Sequence, residues 1–153
     1  MDDRYCFKIG KSYRPTLICT VEVLPSAETV ESAKRFEPNA DSYTVYVLRT
    51  RWGDVRNHLV ASVDGRAPVT TVPGSLVRLR LKPGEHVLAF EWEDKVKELH
   101  VVGGPGDLHF VEIVGSVWSW GSTYEWEHNK LVALRNSATA ATLIADIDLR
   151  QIP

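Results

Sequence analysis

Apolar residues recur at every second position through most of this chain, and proline–glycine pairs cut the pattern into short runs. That spacing constrains the fold more than any other feature. A period of two builds one apolar face on an extended strand, whereas a helix needs a period near 3.6. Val77, Leu79 and Leu81 alternate with Arg78 and Arg80, which predicts a half-buried strand with a basic, solvated outer face. Leu88, Phe90 and Trp92 alternate with Ala89, Glu91 and Glu93, and Tyr124 and Trp126 alternate with Glu125 and Glu127. Pro73-Gly74, Pro83-Gly84 and Pro105-Gly106 each suit a type II turn, with proline setting φ at the first central position and glycine taking positive φ at the second. Asp64-Gly65 suits a two-residue hairpin turn.

The pattern predicts strands near residues 4–9, 16–24, 42–50, 58–63, 67–72, 75–82, 86–92, 95–102, 107–114, 116–120 and 123–134. From Tyr43 to Leu48 every residue but Thr44 is apolar or aromatic, the pattern of a central strand buried on both faces. One segment, near residues 26–36, reads as helix: Ser26 is placed to cap it, Glu28 lies in the first turn, and Ala27, Val30, Ala33 and Phe36 share a flank. Glu31 and Arg35 are four apart, and Pro38 stops the run. A second helical segment is expected near residues 137–145, weakened by Thr139 and Thr142. No repeat or linker divides the chain. The expectation is one all-β domain over 1–153: an N-terminal hairpin (1–24), a helical connection (25–41), a sandwich core (42–134) and a C-terminal segment (135–153).

A chain of 153 residues buries roughly 70% of its unfolded surface, so it needs no metal to hold a core. Eighteen Lys and Arg against 20 Asp and Glu give a net charge of −2, and no basic cluster marks a nucleic-acid surface. No run approaches the roughly 20 apolar residues that span a bilayer. The start, Met1-Asp2-Asp3-Arg4, shows no signal peptide, which fits either a cytoplasmic protein or a mature chain without its leader.

The two cysteines, Cys6 and Cys19, lie in the first twenty residues with no metal-binding motif around them. One reading is a disulfide that clamps the N-terminal hairpin in an oxidising compartment, worth about 3 kcal/mol by chain entropy. The other is a pair of small buried hydrophobes. Cys19 alternates in step with Leu17, Val21 and Val23, while Cys6 lies opposite Tyr5, Phe7 and Ile9, and this parity weighs against the bond.

A search for catalytic chemistry returns little. The histidines, His58, His86, His100, His109 and His128, show no helical zinc spacing, although His86 and His100 could face each other across a hairpin. Val117 stands where a nucleophile elbow at Ser119 would need glycine. Gly103-Gly104-Pro105-Gly106 lacks the lysine and hydroxyl of a phosphate loop and reads as a turn. The Glu91/Glu93 and Glu125/Glu127 pairs each bracket a tryptophan on an alternating strand, so they point to water. The expectation is no catalytic residue, no metal and no cofactor.

Aromatic residues supply the sharpest local signal. Trp118, Trp120, Tyr124 and Trp126 fall within nine residues on two strands joined at Gly121-Ser122-Thr123, and they share a parity on each strand. Four rings on one face of a hairpin either fill the core or anchor a partner, a protein or a sugar ring. Trp52, in Arg51-Trp52-Gly53-Asp54, is a further candidate for partner binding.

Tyr46-Val47-Leu48-Arg49, then Val63-Asp64-Gly65, then Pro83-Gly84-Glu85-His86-Val87-Leu88 resembles a bacterial domain family of unknown function that is common in lipoproteins and similar in pattern to PEGA-type domains. The likeness covers about two thirds of the chain. It implies an immunoglobulin-like or transthyretin-like β-sandwich in the cell envelope, without catalytic residues to carry over. The chain departs from the pattern in lacking a lipidation cysteine and in its extra N-terminal segment. Together these features lead to the expectation of a non-catalytic periplasmic or envelope protein that binds another protein. Its roles would be an immunity or inhibitor protein against a secreted toxin, or an assembly lipoprotein whose membrane contact is a lipid anchor outside this chain. A carbohydrate- or peptidoglycan-binding module is the alternative.

Overall fold

β3 (Tyr43–Arg49) is buried along its whole length and sits at the centre of a five-stranded sheet, in keeping with a run that is apolar or aromatic at all but Thr44 from Tyr43 to Leu48. The computed structural model describes residues 6–11, 14–20, 23–49, 59–92, 95–118, 121–127 and 137–150. The other strands of that sheet are β6 (Ser75–Leu81), β9 (Leu108–Trp118), β10 (Gly121–Glu127) and β11 (Thr142–Asp148), in the order β10-β9-β3-β6-β11. A second sheet has the order β5-β4-β7-β8, from β4 (Leu59–Val63), β5 (Arg66–Thr71), β7 (Gly84–Trp92) and β8 (Lys95–Gly103). The fold is an all-β sandwich, with the short helix α1 (Ala27–Lys34) and a helical turn at 137–140 on the outer side of the five-stranded sheet.

Between the sheets lies the main core: Tyr43, Val45 and Val47 of β3, Val77, Leu79 and Leu81 of β6, and Leu59, Val63, Leu88 and Phe90 from the facing sheet. The opposite face of β3 and β6 packs Tyr46, Leu48 and Leu76 against Ala33 and Phe36 of the helical segment and against Phe110. There Tyr46 stacks on Phe110 at 5.1 Å, Phe36 sits edge-on to both, and the Tyr46 hydroxyl donates to the Ala33 carbonyl at 2.7 Å. Ser26 caps α1 by accepting from the Thr29 N–H, and Arg35 donates to Glu31 at 3.2 Å. Lys34 closes the other end, donating to the Ala138, Thr139 and Ala141 carbonyls at the C-terminal end of the helical turn. Ala27 stays exposed rather than joining the buried flank.

Two of the four pairings in the larger sheet are parallel, β3 with β9 and β6 with β11. The expected break between 114 and 116 is absent, since 108–118 is one strand. The expected helix over 137–145 is corrected: only 137–140 is helical, and Thr142–Asp148 is strand. Thr142, Leu143 and Ile144 favour extended backbone, and parallel pairing with β6 satisfies their amides while a bulge at Leu143/Ala145 buries both Leu143 and Ile144.

Asp64 and Gly65 both have positive φ (51° and 72°), the signature of a type I′ hairpin turn between β4 and β5. Gly74 and Gly106 take the φ that a type II turn needs, 77° and 84°, whereas Gly84 at 134° begins β7 paired with Gly103. β1 (Cys6–Lys11) and β2 (Arg14–Cys19) form a hairpin in which Cys6 lies directly opposite Cys19, and the two are joined by a disulfide. Residues directly opposite in an antiparallel pair share a face, so alternation within each strand does not oppose the bond.

Candidate binding surface

The tryptophans are the first residues to place. Trp126 is half-buried: its indole sits edge-on to Phe90 at 5.0 Å, and its N–H donates to the Lys97 carbonyl at 3.2 Å. It therefore belongs to the core and closes the seam where β10 approaches the edge of β8. In the β9–β10 register Trp126 pairs with Ile113, Tyr124 with Gly115 and Trp118 with Gly121. The expected joint at Gly121-Ser122-Thr123 is corrected: these residues already belong to β10, where Gly121 pairs with Trp118 and Thr123 with Ser116. Trp120 and Trp52 lie outside the described residues.

The histidine pair is also separated. His86 pairs with Val101 and His100 with Val87, so adjacent register positions place the two rings on opposite faces of the β7–β8 hairpin. His86 instead meets Asp64: Nδ1 lies 2.6 Å from Asp64 Oδ2, and Nε2 lies 2.6 Å from the Lys82 carbonyl. The second Asp64 oxygen accepts from the Val87 N–H at 2.8 Å, which ties the β4–β5 turn to β7. Nearby, the Tyr43 hydroxyl is 2.5 Å from His109 Nδ1. Burial, and then the charge of Asp107, push the Tyr43 phenol up to about 12, so it keeps its proton at neutral pH.

The arginines expected on a solvated face are corrected. Arg78 is buried beneath α1, and its Nε and terminal nitrogen engage both oxygens of Asp146 at 2.8 and 2.7 Å, while Arg80 reaches the same carboxylate at 2.8 Å. The pairing of Asp146 with Arg78 across the parallel β6–β11 register creates this contact. Arg49, wholly buried at the end of β3, donates to the Thr71 carbonyl at 2.8 Å. These groups hold strands together. Sequence reasoning missed the Arg78–Asp146 pair because the helix expected over 137–145 left no strand to bring Asp146 beside β6; the signal for it was the β-branched content after Thr142.

Three carboxylates share one electrostatic consequence. Burial raises Asp64, but the hydrogen bonds from His86 and Val87 outweigh it; burial likewise raises Asp146, but Arg78 and Arg80 outweigh it, so both carboxyls end below their ordinary range. Hydrogen bonds from Arg150 hold Asp148 at about 2. A carboxyl whose folded pKa is depressed contributes stability above its unfolded value, near 3.9, and loses it as the pH falls through the folded value. Thermal melts should therefore give a level stability from neutral pH down to about 5, then a fall between about pH 4 and 2. A loss already complete at pH 5 would exclude these three groups as the cause.

The outer face of the β5-β4-β7-β8 sheet is covered by no described element. On β7 it carries Glu85, Val87, Ala89 and Glu91, and on β8 Val96, Glu98, His100 and Val102, paired as Glu85–Val102, Val87–His100, Ala89–Glu98 and Glu91–Val96. Val60 and Ser62 of β4 extend these rows. Val96 and Val102 are 56% and 63% exposed, uncommon values for valine within a regular strand. A shallow depression of about 430 Å³ at the Gly84–Gly103 end is lined by Glu85, His86, Val87, His100, Val101 and Val102. Inside the sandwich the void bounded by Val47, Val69, Leu79, Leu88 and Trp126 is only about 10 Å³, the space of about one water. Compared with known proteins, the chain matches no family model, no curated protein and no solved structure.

Proposed function

We propose that this chain is a non-catalytic binding protein of the bacterial cell envelope that contacts another protein through the outer face of its four-stranded sheet. The observation that carries the reading is the pair of exposed valines, Val96 and Val102, in regular strand rows beside Val60, Val87 and Ala89. Apolar side chains left in water on an ordered sheet gain by being covered, at about 25 cal/mol per Å². The Cys6–Cys19 disulfide supports an oxidising compartment such as the periplasm. An immunity or inhibitor protein acting on a secreted toxin, or an envelope assembly protein, works by this kind of contact, and the likeness to PEGA-type lipoprotein domains points the same way.

Capture from a cell-envelope extract tests the reading with the chain and its Val96→Glu/Val102→Glu variant side by side. A stoichiometric protein partner held by the chain and lost by the variant is the expected result. Recovery of no stoichiometric partner, or equal recovery by both, would overturn it.

A further inference from the structure

The charge on the same face specifies the chemistry of what covers it. Within the outer rows of β7 and β8 stand three glutamates, Glu85, Glu91 and Glu98, and no lysine or arginine. Lys95 and Lys97 belong to the alternate row of β8, and Trp126 anchors the Lys97 carbonyl at the seam. The whole chain carries a net charge of only −2, so the sign of this face is a local arrangement rather than a reflection of the total. Each cross-strand pair joining Glu85, Glu91 or Glu98 to its partner sets a carboxylate beside Val102, Val96 or Ala89, so acidic and apolar positions interleave across the surface.

We infer that this face docks a cationic segment of a partner protein whose basic side chains are interspersed with apolar ones. This rests on the binding reading above. A second copy of the chain does not fit, because two copies set face to face would bring glutamate rows against glutamate rows, and like charges brought together oppose association. A neutral apolar partner would cover the valines but leave three desolvated carboxylates unanswered. A basic and apolar segment satisfies both, with Lys or Arg stems lying along the valines and their cationic ends at the glutamates.

The test uses a labelled hexapeptide of alternating lysine and valine, its glutamate–valine counterpart, and fluorescence anisotropy at low and high salt. The folded chain should bind the lysine peptide at least about tenfold more tightly than the glutamate peptide. Glu85→Gln/Glu91→Gln/Glu98→Gln should lose about tenfold, as should addition of salt to about 0.5 M, while Glu28→Gln/Glu37→Gln on the α1 side should bind as the unaltered chain does. Val96→Ser/Val102→Ser should also weaken binding. All variants alter exposed positions, and melting curves matching the unaltered chain verify their fold. Equal binding of the two peptides, or undiminished binding by the triple glutamine variant, overturns the inference. If the triple glutamine variant still captures the envelope partner while the valine variant does not, the cationic chemistry fails and the docking face stands. If neither set of substitutions affects capture, both fail.

Discussion

Asp146→Asn should lower the stability of the fold by about 3–5 kcal/mol, the cost of leaving a buried charge without its counter-ion. The carboxylate accepts three N–H groups from two guanidiniums, and only 9% of the Arg78 side chain and 14% of the Asp146 side chain reach solvent. Asparagine retains the shape but presents one NH₂ group to donors and removes the negative charge. Arg78 then remains beneath α1 with its charge unanswered, since its contacts with the Tyr46 hydroxyl and with the Ser32 hydroxyl at 3.4 Å are both to neutral groups. For a chain of 153 residues each kcal/mol is worth roughly 2–4 °C, so the melting temperature should fall by roughly 6–20 °C. Arg80→Ala provides the contrast. Its side chain is 26% exposed and shares Asp146 as the second cation, so its removal should cost about 1 kcal/mol or less. Urea denaturation of both variants decides the matter: a cost below about 1 kcal/mol for Asp146→Asn would mean that water reaches Arg78 in place of the carboxylate.

Gly103→Ala should be destabilising by about 3 kcal/mol, the upper end of the range for overpacking. A Cβ at position 103 would stand 2.3–2.6 Å from three atoms of the Tyr43 ring. Neither side can yield cheaply. Gly103 is paired with Gly84 in the β7–β8 ladder, and Tyr43 is fully buried with its hydroxyl held at His109. The shortage of space at this contact makes a sharper claim possible. In a Tyr43→Leu background the added methyl meets a smaller side chain, so Gly103→Ala should cost at least about 1 kcal/mol less than it does alone. Additive costs in the double variant would show that the penalty comes from the backbone of Gly103 rather than from the tyrosine ring.

These two sites differ in how far the sequence announces them. Glycine at 103 was visible as part of a turn-like run, but its reason is a tyrosine 60 residues earlier that only the packed sandwich brings over it. The strand run from Tyr43 to Arg49, the Ser26 cap and the Asp64-Gly65 turn were readable because each depends on neighbours within a few residues. The exposed valine face of the four-stranded sheet was not found from the sequence. Val96 and Val102 look like any alternating pair, and nothing in their spacing tells which side of the strand another sheet will cover. The aromatic hairpin attracted attention for its composition, yet Trp126 packs against the core.

By itself the sequence determined the all-β content, the turns at Asp64-Gly65, Pro73-Gly74 and Pro105-Gly106 and the short first helix, since alternation, proline and glycine act over a few residues. Tertiary structure decided which strands became neighbours, and with them everything that depends on neighbours. Parallel pairing of β6 with β11 made Arg78 and Asp146 a buried ion pair, β1 against β2 set Cys6 opposite Cys19, and β7 against β8 gathered three glutamates and two exposed valines on one face. Period-two alternation assigns each residue to one of two sides of its own strand, but it holds no information on what lies across either side.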